Sequence, residues 1–184
     1  RLSYLWAFLG NYPHKEEGAS LGVYLNPGNK GFKEAVRSEI YVDKTGVIAC
    51  ANKLFNTQEK YVCISRPRRF GKSMALQMLS AYYGRGCDSR ELFAGLKIES
   101  VSSFEEHLNR YDVIYLNMQQ FLIGAKKQEI TEYLEQEVLE ELLEEYGYLL
   151  KRHDMGLADT LRKIYAKSGK EFVFLIDEWD CVMR

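Results

Sequence analysis

Gly71-Lys72-Ser73 stands between an apolar run, Lys60-Tyr61-Val62-Cys63-Ile64-Ser65, and a segment carrying Met74, Leu76, Met78, Leu79 and Tyr82 at helical spacing. Glycine followed by lysine and serine at such a junction suits the binding of phosphate. Consecutive backbone N–H groups at a helix start form an anion cradle, with the positive end of the helix dipole behind it. Lys72 adds a point charge for the β- and γ-phosphates, and the Ser73 hydroxyl is a ligand for Mg²⁺. The segment expected to bind nucleotide is Arg66-Pro67-Arg68-Arg69-Phe70-Gly71-Lys72-Ser73-Met74. It departs once from the pattern G-x-x-x-x-G-K-[ST], because Arg66 occupies the place of the first glycine.

A second stretch, Phe172-Val173-Phe174-Leu175-Ile176-Asp177-Glu178, has the form of a Walker B strand. Five apolar residues hold the strand in a sheet, and Asp177 at its end can ligate Mg²⁺ directly or through water. Glu178, one residue on, is placed to polarise a water for attack on a γ-phosphate. Ligands of open parallel sheets bind beyond the carboxyl ends of the strands, so the two motifs should meet at one crevice. Either motif alone has a plain alternative. Arg66 to Arg69 can form a basic surface patch for nucleic acid, and the later strand can simply end in polar residues.

The elements that must position these groups are readable from turn signals and periodicity. Asn26-Pro27-Gly28-Asn29 is a turn, followed by a short helix through Phe32, Ala35 and Val36. Ile40-Tyr41-Val42 is extended, and Thr45 can cap a helix through Val47, Ile48, Ala51, Leu54 and Phe55. Lys60 to Ser65 reads as a strand buried on both faces, with an amphipathic helix from Gly71 that stops near Gly84. Asp112 to Asn117 is a second strand, and Lys127 to Tyr146 the longest helix, with eight Glu from Glu129 to Glu145 read as a solvated face. Gly147 ends that helix, another covers Leu157 to Ala166, and Phe172 to Ile176 is the third buried strand. Strand, helix, strand, helices, strand is the order of a three-layer α/β fold with a parallel sheet.

The chain has 184 residues, 46% hydrophobic and 28% charged, with 25 basic against 26 acidic side chains. This balance excludes disorder, a disulfide mini-protein and a surface that is basic throughout. Cys50, Cys63, Cys87 and Cys181 show no C-x-x-C spacing and read as reduced thiols of a cytosolic protein. The apolar run Leu2 to Leu9 is too short for a bilayer span, so no membrane partner is expected. Residues 1–20 are expected to be extraneous or disordered, with translation starting near Leu21, and residues 21–184 to be a domain cut just after the Walker B strand.

Tyr41-Val42-Asp43-Lys44-Thr45, Arg66-Pro67-Arg68-Arg69-Phe70-Gly71-Lys72-Ser73 and Leu175-Ile176-Asp177-Glu178 together resemble the AAA-ATPase-like family of predicted bacterial P-loop ATPases. In that family the arginine-rich run is the phosphate loop itself, so Arg66 is a family trait. Trp179 departs from the tyrosine more usual there. The resemblance implies a P-loop fold, ATP with Mg²⁺, and frequent fusion to a C-terminal nuclease-like domain, through which nucleic acid would be met. Self-association is compatible with it.

An ATPase is therefore expected, with Lys72 and Glu178 catalytic and Ser73 and Asp177 on the metal. A nucleotide-gated switch with little hydrolysis is the alternative, and a nucleic-acid module built on the arginines a third. Asp43 and Lys44 read as a local ion pair or helix cap, and His14, His107 and His153 have no partner at a useful spacing.

Overall fold

A computed structural model describes residues 4–7, 21–65, 70–124, 129–150 and 155–183. Four strands, Tyr4–Ala7 (β1), Val62–Cys63 (β2), Asp112–Asn117 (β3) and Phe172–Asp177 (β4), form one sheet in the order β2-β1-β4-β3. β3 and β4 pair in parallel, from Asp112 opposite Phe172 to Asn117 opposite Asp177. β1 runs antiparallel to both β2 and β4, so β2, β4 and β3 share one direction.

The parallel sheet expected from sequence is present in the β3–β4 pair, and the antiparallel β1 makes the sheet mixed. Tyr4–Ala7, within the stretch read from sequence as extraneous or disordered, lies between β2 and β4. Backbone N–H and C=O groups on two facing strand edges need partners, and a short extended segment of either direction can supply them. β2 also differs from expectation. It is a two-residue edge strand, half-buried rather than covered on both faces.

Successive side chains of β3 and β4 enter opposite cores, as the two-residue period of a strand requires. Val113, Val173 and Leu175 pack against helices Lys30–Val36 (α1), Gly46–Asn52 (α2), Lys72–Tyr83 (α3) and Phe104–His107 (α4). Ile114, Leu116 and Phe172 pack against Met118–Gly124 (α5), Ile130–Tyr146 (α6) and Leu157–Ser168 (α7). Helices on both faces explain why these two strands read as unbroken apolar runs. At roughly 1.5–3 kcal/mol for each large side chain buried, these contacts dominate the stability of the fold.

α3 is less amphipathic than its sequence suggests. Ala75, Leu76 and Met78 to Tyr83 are all buried, and only Ser73 and Gln77 are exposed. The acidic face of α6 is likewise only partly solvated. Glu141 accepts hydrogen bonds from the backbone N–H groups of Val23, Tyr24 and Leu25 at 2.7, 3.0 and 2.6 Å, and Glu135 from Leu157 at 2.7 Å. Four of the eight, Glu129, Glu132, Glu140 and Glu144, are exposed as expected.

Candidate functional site

The direction of α3 follows from where it ends. Gly84 bridges to Tyr111, and Arg85 donates its backbone N–H to the Tyr111 carbonyl at 2.9 Å, beside the amino end of β3. Twelve helical residues span about 18 Å, and six strand residues about 20 Å. α3 packs against β3 and β4, so its first turn comes to the carboxyl end of the sheet. Asp177, two residues beyond Leu175, shares the sheet face that α3 covers. The topology thus brings Gly71, Lys72, Ser73 and Met74 to the same edge as Asp177 and Glu178. Among the described residues no hydrogen bond or ion pair joins the two groups. Arg66, Pro67, Arg68 and Arg69 lie outside the described residues.

Gly71 is the N-cap of α3 with φ +74, a left-handed conformation that favours glycine. Its carbonyl accepts the first helical bond, from Ala75 N at 3.0 Å. Space is as restrictive as conformation there, because a Cβ on residue 71 would lie 2.6 Å from Lys44 Nζ. Met74 lies beside the same position, Ser73 is exposed, and Phe70 is 63% exposed.

Asp177 is 1% exposed. Its Oδ1 accepts from the Glu178 N–H at 3.0 Å, whereas Oδ2 has no hydrogen-bond partner among the described residues. Leaving a buried acceptor unmatched costs about 1–3 kcal/mol. Tyr115 stands diagonally across β3 on the same face. Burial first, then the Asp177 charge and a side-chain hydrogen bond to Asp177, push its phenol well above the ordinary value. Glu178 is half-buried with φ +51, the left-handed region that costs a non-glycine residue about 1–2 kcal/mol. Its carbonyl accepts from Cys181 N at 3.0 Å, opening a 3₁₀ turn over Trp179–Met183 that packs on α5. Strain and an unmatched buried oxygen therefore fall on adjacent residues, where functional sites concentrate such costs.

The donor set fits Mg²⁺, a hard cation that prefers oxygen ligands. Asp177 Oδ2 is a buried, unmatched carboxylate oxygen, and Ser73 offers a hydroxyl at the second residue of α3. Among the described residues no three His, Cys, Asp or Glu side chains gather as a metal site, and no helix is long and apolar enough to cross a membrane. None of the four cysteines forms a disulfide.

The residue that sequence reasoning undervalued is Lys44. Its Nζ donates to the Phe70 carbonyl at 2.8 Å, so it belongs to the Gly71 end of α3 rather than to a local ion pair. Asp43 does brace the chain locally: Oδ1 accepts from Thr45 N and Oγ1 at 2.8 and 2.6 Å, and Oδ2 from Lys97 N at 2.9 Å. Partial burial opposes its ionisation, but these hydrogen bonds outweigh it and hold the carboxyl below the ordinary value. Thr45 occupies the N-cap of α2, yet its hydroxyl donates to Asp43 and accepts from Ile98 N at 3.1 Å instead of capping the helix. The available signal was a lysine held between two small polar residues at a helix start.

These features define an α/β protein whose sheet ends in a candidate anion- and metal-binding edge. The family model of the predicted AAA-ATPases matches residues 28–184, and the chain belongs to that family. No curated protein and no solved structure matches the chain.

Proposed function

We propose that the chain binds ATP and hydrolyses it with Mg²⁺, residues 21–184 forming the nucleotide-binding domain. The observation that carries this reading is the buried, unmatched Oδ2 of Asp177 at the edge where Gly71-Lys72-Ser73 opens α3. Arg66 to Met74 embrace the triphosphate, with the N–H groups at the start of α3 and the Lys72 ammonium facing its oxygens. Ser73 and Asp177 would hold the metal, whose charge would offset that of the phosphates. Glu178 takes the proton of a water as that water attacks the γ-phosphorus. The bond to the β,γ-bridging oxygen breaks, and ADP and inorganic phosphate leave. On the family resemblance, turnover drives or gates a further, nuclease-like domain, which is where nucleic acid would enter.

Glu178→Gln is expected to bind ATP normally and turn it over at least ~100-fold more slowly. Steady-state phosphate release beside equilibrium binding checks this, and undiminished release from that variant rejects the assignment.

A further inference from the structure

Lys44 lies far from Gly71-Lys72-Ser73 in sequence and touches its backbone in space. The ammonium donates to the Phe70 carbonyl at 2.8 Å and stands 2.6 Å from where a Cβ on Gly71 would be. Its own base is fixed from both sides. Asp43 is bonded to Thr45 and to the Lys97 amide, and the wholly buried Thr45 is bonded to Ile98. The side chain thus reaches the loop from an anchored stretch of chain and not from a free surface position.

An ammonium has three N–H donors. One is spent on Phe70, and among the described residues no carboxylate pairs with Lys44. A cation with no paired carboxylate among the described residues, held against the backbone that opens α3, raises the positive potential at that helix start. Oxygens of a polyphosphate supply both the negative charge and the acceptors that this arrangement lacks.

We infer that Lys44 is a second cation of the phosphate site, anchored on the Phe70 carbonyl and contributing its charge to the terminal phosphates of a bound nucleoside triphosphate. The inference rests on the ATP-binding reading above. It also gives residue 71 a steric reason to be glycine beyond its φ, since any side chain there would displace the ammonium.

The test is calorimetric titration of the full natural chain and its variants with ATP and ADP. Lys44→Gln keeps an N–H for the Phe70 carbonyl and removes the charge. It is expected to weaken ATP about tenfold, the scale of one charge-assisted hydrogen bond, and ADP distinctly less. Lys44→Arg should recover most of the ATP affinity. Wild-type ATP affinity in Lys44→Gln, or equal losses for ATP and ADP, would overturn the inference, the second outcome marking Lys44 as a loop anchor only. If Lys44→Gln melts early, Lys44→Arg decides: a retained preference for ATP over ADP supports the charge role, and a lost preference defeats it. Lys72→Ala separates this from the parent reading. Affinity lost in Lys72→Ala but intact in Lys44→Gln removes Lys44 alone, whereas a wild-type chain that binds no ATP removes both.

Discussion

Two aspartates, each 1% exposed, stand at opposite ends of the β3–β4 pair and are treated in opposite ways. Asp112, at the amino end, is fully matched. It accepts from Asn26 Nδ2 at 2.6 Å, from Arg85 Nε at 2.7 Å and from the Tyr146 hydroxyl. Arg85 is shared onward with Glu145 at 3.0 Å, and Asn26 Oδ1 accepts from Val113 N at 2.9 Å. Asp177, at the carboxyl end, has one oxygen unmatched and a strained neighbour. One end spends its polar groups on holding α3, α6 and β3 together, and the other leaves them available. A buried charge is costly unless paired, so the carboxyl end bears a cost that the amino end avoids.

The largest expected effect tests that contrast directly. Asp112→Asn removes the charge facing a buried arginine and should cost about 3–5 kcal/mol. Asp177→Asn removes a charge that meets only the Glu178 N–H and the Tyr115 phenol and faces no cation among the described residues, so its cost should stay within about 1 kcal/mol while ATP turnover collapses. Urea unfolding of both variants, with phosphate release for the second, reads the difference. Equal losses of stability would dissolve the distinction between the two ends.

Much of this site was legible because its parts are local. Asp112 to Asn117 and Phe172 to Asp177 are six-residue strands whose apolar stretches close on polar residues, and Gly71 to Tyr83 announces a helix by glycine and spacing. What stayed hidden depends on contacts distant along the chain. Lys44 and Phe70 are 26 positions apart, and Asn26 and Asp112 are 86 apart. α5 escaped notice for another reason. It begins directly after β3, with Asn117 Oδ1 accepting from Gln119 N at 3.1 Å, so no turn residues announce the change from strand to helix. The placement of Tyr4–Ala7 could not be read either, since a four-residue run carries no mark of the strands it will join.

A smaller effect concerns the strain beside Asp177. Glycine adopts φ +51 without the Cβ clash that glutamate suffers, so Glu178→Gly should be more stable than Glu178→Ala by about 1 kcal/mol, with turnover lost in both. Thermal unfolding of the pair reads it. Equal stabilities would mean that the backbone at residue 178 relaxes freely, and the carboxyl end would then owe its character to Asp177 alone.

The smallest expected effect belongs to Glu171, which qualifies the contrast from the other side. It precedes β4 at the amino end, its carbonyl accepts from Asp112 N, and its Oε1 is buried without a hydrogen-bond partner among the described residues. Burial raises its carboxyl from 4.5 to about 8. This end therefore also has an unmatched oxygen, but the group answers by keeping its proton. The folded chain then binds more protons than the unfolded chain between those values. Its contribution is complete below pH 4.5, shrinks as pH rises and is exhausted above about 8. Because the side chain is only half-buried, solvent screening keeps the effect small. Glu171→Gln fixes the neutral form, so it should match wild type near pH 4 and exceed it in melting temperature near pH 8. A constant difference across that range would show that Glu171 is ionised like a surface carboxylate, leaving the unmatched oxygen of Asp177 without a counterpart at the amino end.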